Sequence, residues 1–401
     1  MLIRQQYGGH TLVELASKQR NNALIDYLLK ENKLTQVALS YLLRNASAAK
    51  LWDTVKHLID LPSANKPDLE SVSEALVAAT KENQLAWLLT PESSALQEQG
   101  LFQEKRLKIK LPVDPAQLLT LLAAHGEEET IKQLVQLSPP ELLHSFATRV
   151  NVTDYSGRLF TNISAFQLMC WALDSQMIFE AMLKPLQKAF NEGYGGAEAI
   201  RQELERQSNE IQTTGVSYTL NGEAKQGEHH FDFQPLIAAL DLYVEQYDNW
   251  TMAQRHEHWC DIVGRLQRLV PVHVAQHYCE RIPFDGKKPF RNTTLLRALR
   301  FRNWTSTATD NFESWFPLTR DNRLGFDFGI YNWPTGRNRS IAQPQGWGRG
   351  PVALQAFVVF QNSAALSALL DARTQDVATL RERFATPLEN WDLDTSHGMT
   401  L

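Results

Sequence analysis

Apolar residue pairs recur at a fixed interval in the first ninety residues of the chain. Leu28-Leu29, Leu58-Ile59 and Leu88-Leu89 each close a helix-like stretch, and consecutive pairs are thirty residues apart. Such a period is typical of helix pairs that cannot bury their own apolar stripes and must stack on neighbouring pairs. The chain is therefore expected to begin with a helical repeat array.

Three of the five repeat units resemble ankyrin repeats. Thr11–Ser17 stands where an ankyrin repeat has its Thr-Pro-Leu-His-x-Ala-Ala run, Ala123–Gly126 matches Ala-Ala-x-Gly, and the fifth unit starts at the turn Asp154–Arg158. The second and third units are helix pairs of suitable length without the motif. A generic helix-hairpin solenoid remains the alternative, and in either case stacking creates an extended surface used for protein binding.

The pattern changes after residue 185. Asn191–Gly196 is rich in glycine, as a boundary would be, and Val216–Gly222 ends in Asn-Gly, a hairpin signal. We predict a mainly α fold: an ankyrin-like array followed by an α-rich C-terminal domain with irregular aromatic loops. The predicted boundaries are 1–185 for the repeats, 186–230 for a linker with a hairpin, 231–386 for the helical domain and 387–401 for a flexible tail.

Composition excludes several classes of protein. Of the 401 residues, 43% are hydrophobic and 21% charged, which excludes bulk disorder, and no run of eighteen apolar residues predicts a membrane span. Three cysteines fit a reducing compartment, and the N-terminus lacks the pattern of a secretory signal. We therefore expect a protein of a reducing compartment that does not use Sec-dependent export. No cofactor is predicted.

The net charge of −5 hides an asymmetry. Residues 281–350 carry about +7, interleaved with twelve aromatic residues, so the remainder carries about −12. Cations beside aromatic rings can bind nucleic acid, but these aromatics cluster as a packed core would, and the pattern favours a protein partner instead. Arg337, Arg339 and Arg349 are the candidate partner-binding residues.

A histidine and cysteine cluster is the candidate metal site. Two of its histidines are four residues apart, which places them on one side of a helix. The spacing matches no zinc signature, and Val270 and Val274 mark an apolar seam beside it. We therefore predict no metal, with these residues as weak candidate ligands: His256, His258, Cys260, His273 and His277.

The same segment contains the candidate nucleophile. Cys279 or Cys260 would form a catalytic centre if it were activated by a histidine, His273 or His230, with Asp261 or Asp232 orienting that histidine. No local motif resembles a cysteine-protease signature. An enzyme with a cysteine/histidine or metal-dependent centre in the C-terminal domain is therefore the alternative function.

Several blocks resemble one bacterial family. Thr153–Arg158, Trp171–Asp174, His230–Phe233, Pro271–Cys279 and Trp315–Leu318 are similar to segments of uncharacterised proteins of intracellular bacteria that deliver type IV secreted effectors. The resemblance implies ankyrin-like repeats fused to a helical domain of unknown activity and offers no catalytic residue to carry over. We therefore expect a secreted effector that lies in the bacterial cytoplasm before non-Sec secretion, binds a host protein through its repeat surface and acts in the host cytosol.

Overall fold

The computed structural model describes residues 34–62, 66–89, 111–137, 140–278 and 356–391, together with short helical or strand positions elsewhere. The first ankyrin-like unit lies almost wholly outside the described residues, as do Cys279, Arg337, Arg339 and Arg349. One short strand pair precedes residue 34: β1 (Gln6–Tyr7) and β2 (His10–Thr11).

Helix pairs occupy the first described part of the chain. The first pair is α1 (Gln36–Ala48) and α2 (Trp52–Ile59), and the second is α3 (Leu69–Lys81) and α4 (Leu85–Leu89). Side chains cap the first helices, because Thr35 accepts a hydrogen bond from the Ala38 N–H and Asp68 from the Ser71 N–H.

Two more pairs follow. They consist of α5 (Pro115–Ala124) with α6 (Glu128–Leu137), and of α7 (Ala165–Trp171) with a second helix that runs through α8 (Ser175–Ile178), a π-helical turn (Phe179–Leu183) and α9 (Lys184–Asn191). Ser164 and Gln167 cap α7 reciprocally. The prediction of a mainly helical protein with helix pairs in its first half is confirmed at that level.

The turns that join the helices of each pair share one geometry. We name them turn A (residues 49–51), turn B (82–84), turn C (125–127) and turn D (172–174). The middle residue of each has a positive φ: Lys50 55°, Asn83 57°, Gly126 68° and Leu173 57°. The third residue of each donates its N–H to a carbonyl five residues earlier, as in a Schellman motif: Leu51 to Ala46, Gln84 to Ala79, Glu127 to Leu122 and Asp174 to Met169.

A four-stranded antiparallel sheet is formed by two strands that precede the fourth helix pair in the chain and two that follow it. Its order is β3 (Arg149–Thr153), β4 (Leu159–Ser164), β5 (Val216–Leu220) and β6 (Glu223–Glu228). The predicted turn at Asp154–Arg158 joins β3 to β4, and Gly157 has a φ of 84° there. The hairpin predicted at Asn221-Gly222 joins β5 to β6. Helix α10 (Ala197–Thr213) precedes this hairpin, so the segment predicted as a linker forms a helix and two strands of the sheet.

The C-terminal part is helical. It contains α11 (Gln234–Glu245), α12 (Met252–Glu257), a π-helical stretch (His258–Gly264) that leads into α13 (Arg265–Gln267), α14 (Val272–Tyr278) and the long α15 (Ala356–Phe384).

Between α14 and α15 we expected irregular aromatic loops. Instead, a second sheet is present, with the order β8 (Phe312–Ser314), β7 (Arg300–Arg302), β10 (Ser340–Pro344) and β9 (Phe328–Asn332). Its strands are three to five residues long and follow no clear alternation, which is why the sequence pattern did not reveal them.

One continuous hydrophobic core joins the repeats to the C-terminal helices. Phe384 of α15 packs edge-on against Phe166 of α7, with ring centroids 5.1 Å apart. Part of the predicted flexible tail belongs to this core, because Leu388 and Trp391 are buried. No helix of the described ranges is both long and apolar enough to cross a bilayer.

Candidate functional site

Turn D is the meeting point of the repeats and the C-terminal helices. Asp174 accepts a hydrogen bond through Oδ1 from the Met177 N–H at 3.0 Å, capping α8, and its Oδ2 lies 2.7 Å from His273 Nδ1 of α14. Because a carboxylate can only accept, His273 Nδ1 carries the proton. Both side chains are almost fully buried. The acidic group behind His273 is therefore Asp174, and not Asp261 or Asp232, which the enzyme hypothesis named.

Helix α15 binds the same turn. The guanidinium of Arg373 donates from Nη1 to the Leu173 carbonyl at 2.6 Å and from Nη2 to the His273 carbonyl at 3.0 Å, and the side chain is completely buried. Ser175 and Asp376 are also hydrogen-bonded, 3.3 Å apart. We call this group the joint: Leu173, Asp174, Ser175, His273, Arg373 and Asp376.

The Asp154–Arg158 turn makes a second polar connection to the C-terminal part. Arg158 pairs with Asp154 at 3.0 Å and donates to the Leu269 carbonyl at 2.7 Å, while the Ser156 hydroxyl donates to the Arg268 carbonyl at 3.1 Å. These contacts hold the tip of the β3–β4 hairpin against the chain that enters α14.

Three aromatic rings surround the Arg158 guanidinium. Its central carbon lies 5.1 to 5.5 Å from the ring centroids of Phe231, Trp171 and Tyr218. Glu228 accepts hydrogen bonds from the Trp171 indole at 3.0 Å and the Tyr218 hydroxyl at 2.7 Å. Burial, reinforced by Glu228, raises the pKa of Tyr218 to about 12. The Arg158 guanidinium therefore fills the space between the three rings. Its contacts with the rings and with Asp154 compensate for the burial of its charge.

A small recess with a cavity volume of about 10 Å³ lies between the hairpin tip and α14. A cavity of that size holds about one water molecule and is far smaller than the roughly 300–1,000 Å³ of typical small-molecule pockets. Polar side chains of the hairpin tip and of α14 line it beside mostly apolar ones: Asp154, Tyr155, Ser156 and His273, with Ala124, Phe160, Leu168, Trp171, Pro271 and Val272. His125 of turn C stacks on Tyr155, with ring centroids 3.9 Å apart and an 8° angle. Burial, with a further contribution from the charge of His273, lowers the pKa of His125 to about 4.

The other candidate catalytic residues do not reach this site in the described structure. His230 contacts the Phe231 carbonyl through Nδ1 at 2.9 Å and does not line the recess. Cys279 lies outside the described residues. Of the cysteines that are described, Cys170 and Cys260 are buried, and burial raises the pKa of the Cys170 thiol to about 12. A thiol of that pKa supplies almost no thiolate at neutral pH.

The candidate metal ligands within the described residues contact other groups or do not cluster. His258 Nε2 contacts the Ala239 carbonyl at 2.8 Å, and His256 is buried with its pKa lowered by desolvation. Within the described residues, no three His, Cys, Asp or Glu side chains come together as a metal site would require. The side chain of His277 lies outside this description.

Sequence reasoning did not assign a role to Arg158, Asp174 or Arg373. Arg158 and Asp174 do fall within the blocks of family resemblance. Their signal was a charged residue beside apolar positions, where burial requires a partner. Arg373 had no such signal, since arginine on a long helix usually points to solvent.

The fold and the joint define a mainly helical protein in which a helix-pair array is fixed to a C-terminal helical domain. Residues 235–384 match the family model described as the CBUA0006 C-terminal domain. The chain is 32% identical over 285 residues to the uncharacterized protein CBUA0006 of Coxiella burnetii, which covers 67% of this chain and 74% of that protein. The chain therefore belongs to the CBUA0006 family. The expected likeness to an uncharacterised family of intracellular bacteria is confirmed at that level, and no solved structure matches the chain.

Proposed function

We propose that this protein is a protein-binding module built on an ankyrin-like repeat array. The observation that carries the proposal is the repetition of one inter-helix turn four times, with a positive φ at the same position in each turn. In turn C this position is Gly126, the last residue of Ala123-Ala124-His125-Gly126, which resembles the Ala-Ala-x-Gly of an ankyrin repeat. Repeat arrays of this kind bind partners over an extended surface rather than in a pocket.

The turns of the first two described helix pairs are more exposed to solvent than the turn of the last pair, which leaves them accessible to a partner. The first two residues of turn A and turn B are exposed, whereas turn D is fully buried. Large apolar side chains are exposed on the same two pairs, including Val37 of α1 at 78% and Trp87 of α4 at 38%. The first two described pairs therefore offer the partner surface.

We further propose that the protein acts as an effector in the host cytosol after export by a route other than Sec. Its support is the membership of the chain in a family with an uncharacterized relative in Coxiella burnetii. The basic residues Arg337, Arg339 and Arg349 stay candidates for contact with the same partner.

A comparative capture experiment tests the binding function. Tagged full-length protein is incubated with eukaryotic cell lysate in parallel with a Lys50→Glu/Glu82→Lys variant and a Glu223→Lys control on strand β6. We expect one host protein to be enriched by the wild type and the control and lost with the double variant. No reproducible host protein, or equal recovery by all three chains, would count against the proposal.

One observation favours the enzymatic alternative. Asp174 behind His273, beside a recess lined by Tyr155 and Ser156, has the order of groups that general-base catalysis uses. Labelling of the chain by a panel of serine- and cysteine-reactive probes, lost with His273→Gln in a variant that stays folded by circular dichroism, would support it. Elemental analysis tests the metal version, which predicts zinc in stoichiometric amount.

A further inference from the structure

Turn D shows how this chain docks a helix onto one of its own turns. The Leu173 carbonyl, at the positive-φ position, accepts from Arg373 of α15 at 2.6 Å. The next residue, Asp174, supplies an acceptor oxygen to His273 at 2.7 Å. Two acceptors from consecutive residues are therefore bound by two cationic or donor side chains of the C-terminal helices.

Turn B offers a similar pair of acceptors, and no helix of the described ranges covers them. Asn83 stands at the positive-φ position, and within the described residues no group donates to its carbonyl. Gln84, in the place of Asp174, carries a side-chain carbonyl, and its amide nitrogen lies 3.5 Å from the Glu82 carbonyl. Both Glu82 and Asn83 are exposed.

The position of turn B favours a cation, because the turn follows the C-terminal end of α3, where the negative end of the helix dipole lies. Glu82 is 40% exposed and pairs with Lys50 of turn A at 2.6 Å, so it adds no net charge of its own. In turn A the residue at the Asp174 position is Leu51, which offers no side-chain acceptor, and turn C is covered by Tyr155 stacked on His125. Among the turns of the described residues, turn B is thus the exposed one with the fullest set of acceptors.

We infer that turn B is the docking site for a partner helix that presents an arginine, which binds the Asn83 carbonyl as Arg373 binds the Leu173 carbonyl. The inference rests on the proposed binding function and names the partner's chemistry: a cationic helix whose arginine is flanked by apolar residues, as Leu369 and Leu370 precede Arg373 in α15. A fully buried guanidinium with planar donors suits backbone carbonyls better than a lysine does.

A peptide probe tests this inference without knowledge of the natural partner. The probe is residues 366–384 of this chain, labelled with a fluorophore and carrying a photo-crosslinking benzophenone in place of Thr374. In the full-length protein, turn D is already occupied by α15 at the high effective concentration of an intramolecular contact. Binding by the peptide therefore reports on uncovered turns.

We expect saturable binding and crosslinks to residues 82–86. The Arg373→Gln peptide should bind about tenfold more weakly, because hydrogen bonds from a charged donor are among the stronger ones. Gln84→Ala and Glu82→Lys in the protein should weaken binding, whereas Glu223→Lys should not.

Crosslinks confined to residues 172–176, equal affinity of the two peptides, or no binding would overturn the inference. These outcomes are separable from failure of the proposed function. A host protein captured through another surface, insensitive to Gln84→Ala, would leave the binding module in place and remove turn B as its site.

Discussion

Turn B and turn D have the same backbone geometry and opposite surroundings. Asn83 and Leu173 share a φ of 57°, yet Asn83 is exposed and Leu173 is buried under α14 and α15. The difference lies in what covers each turn, since Asp174 and Leu173 are bound by His273 and Arg373. A repeated local structure can therefore serve as a fixed joint at one end of an array and as a free surface at the other.

The largest difference in the free energy of unfolding should appear when the third residue of each turn is replaced by alanine. Asp174→Ala leaves buried donors without their acceptor and removes the cap of α8, so we expect a loss of about 3–5 kcal/mol in the free energy of unfolding. Gln84→Ala, at the equivalent exposed position, should change it by less than about 0.5 kcal/mol. Urea unfolding followed by circular dichroism measures both, and similar losses in the two variants would refute the contrast.

Acid should act on the covered end of the array through His125 of turn C. Its pKa is about 4 in the folded protein and near 6.5 in an unfolded chain. The unfolded chain binds a proton first, so stability falls as the pH drops from about 6.5 to about 4, by roughly 3 kcal/mol in total.

His125→Phe keeps the ring that stacks on Tyr155 and has no proton to bind. The difference between its pH profile of unfolding and that of the wild type isolates this residue. His144→Gln, at an exposed position, serves as the control and should keep the wild-type slope between pH 4 and 6.5. An unchanged slope in His125→Phe would contradict the assignment.

Lys56 connects the first two described helix pairs, and its substitution should show how much this contact stabilises their stacking. Its buried ammonium donates to the carbonyls of Leu88 at 3.0 Å and Trp87 at 3.3 Å, at the end of α4. Lys56→Met leaves these carbonyls unsatisfied and should cost about 1–3 kcal/mol. Lys81→Met, an exposed control on α3, should be near neutral. Equal chemical denaturation midpoints for the two variants would argue against a role for Lys56 in stacking.

The smallest expected changes in stability come from substitutions at the positive-φ positions of the turns. Gly126→Ala puts a Cβ where φ is 68° and should cost about 1–2 kcal/mol. Lys50→Gly relieves that strain in turn A but makes the unfolded chain more flexible, so a gain of only about 0.5 kcal/mol is expected. Thermal unfolding of both variants measures the pair, and a stabilised Gly126→Ala would show that the turns are not equivalent.

Periodicity predicted the helix pairs because each pair buries an apolar stripe, and local signals predicted the turn at Gly157 and the Asn221-Gly222 hairpin. The second sheet between α14 and α15 was missed, since its short strands have no alternating pattern. Of the candidate site, His273 was singled out from the sequence, but its partner Asp174 is 99 residues away. No local spacing encodes such a pair.

The sequence by itself determined the repeated helix pairs, their turns and the separation of charge along the chain, because these depend on propensity and on spacing within about one helix turn. The tertiary structure decided which turns are covered and which charged side chains are buried. Arg158, Asp174 and Arg373 are tolerated inside the protein because residues distant in sequence supply hydrogen-bond partners that complete those available locally. Those partners exist once the C-terminal helices pack against the last repeat.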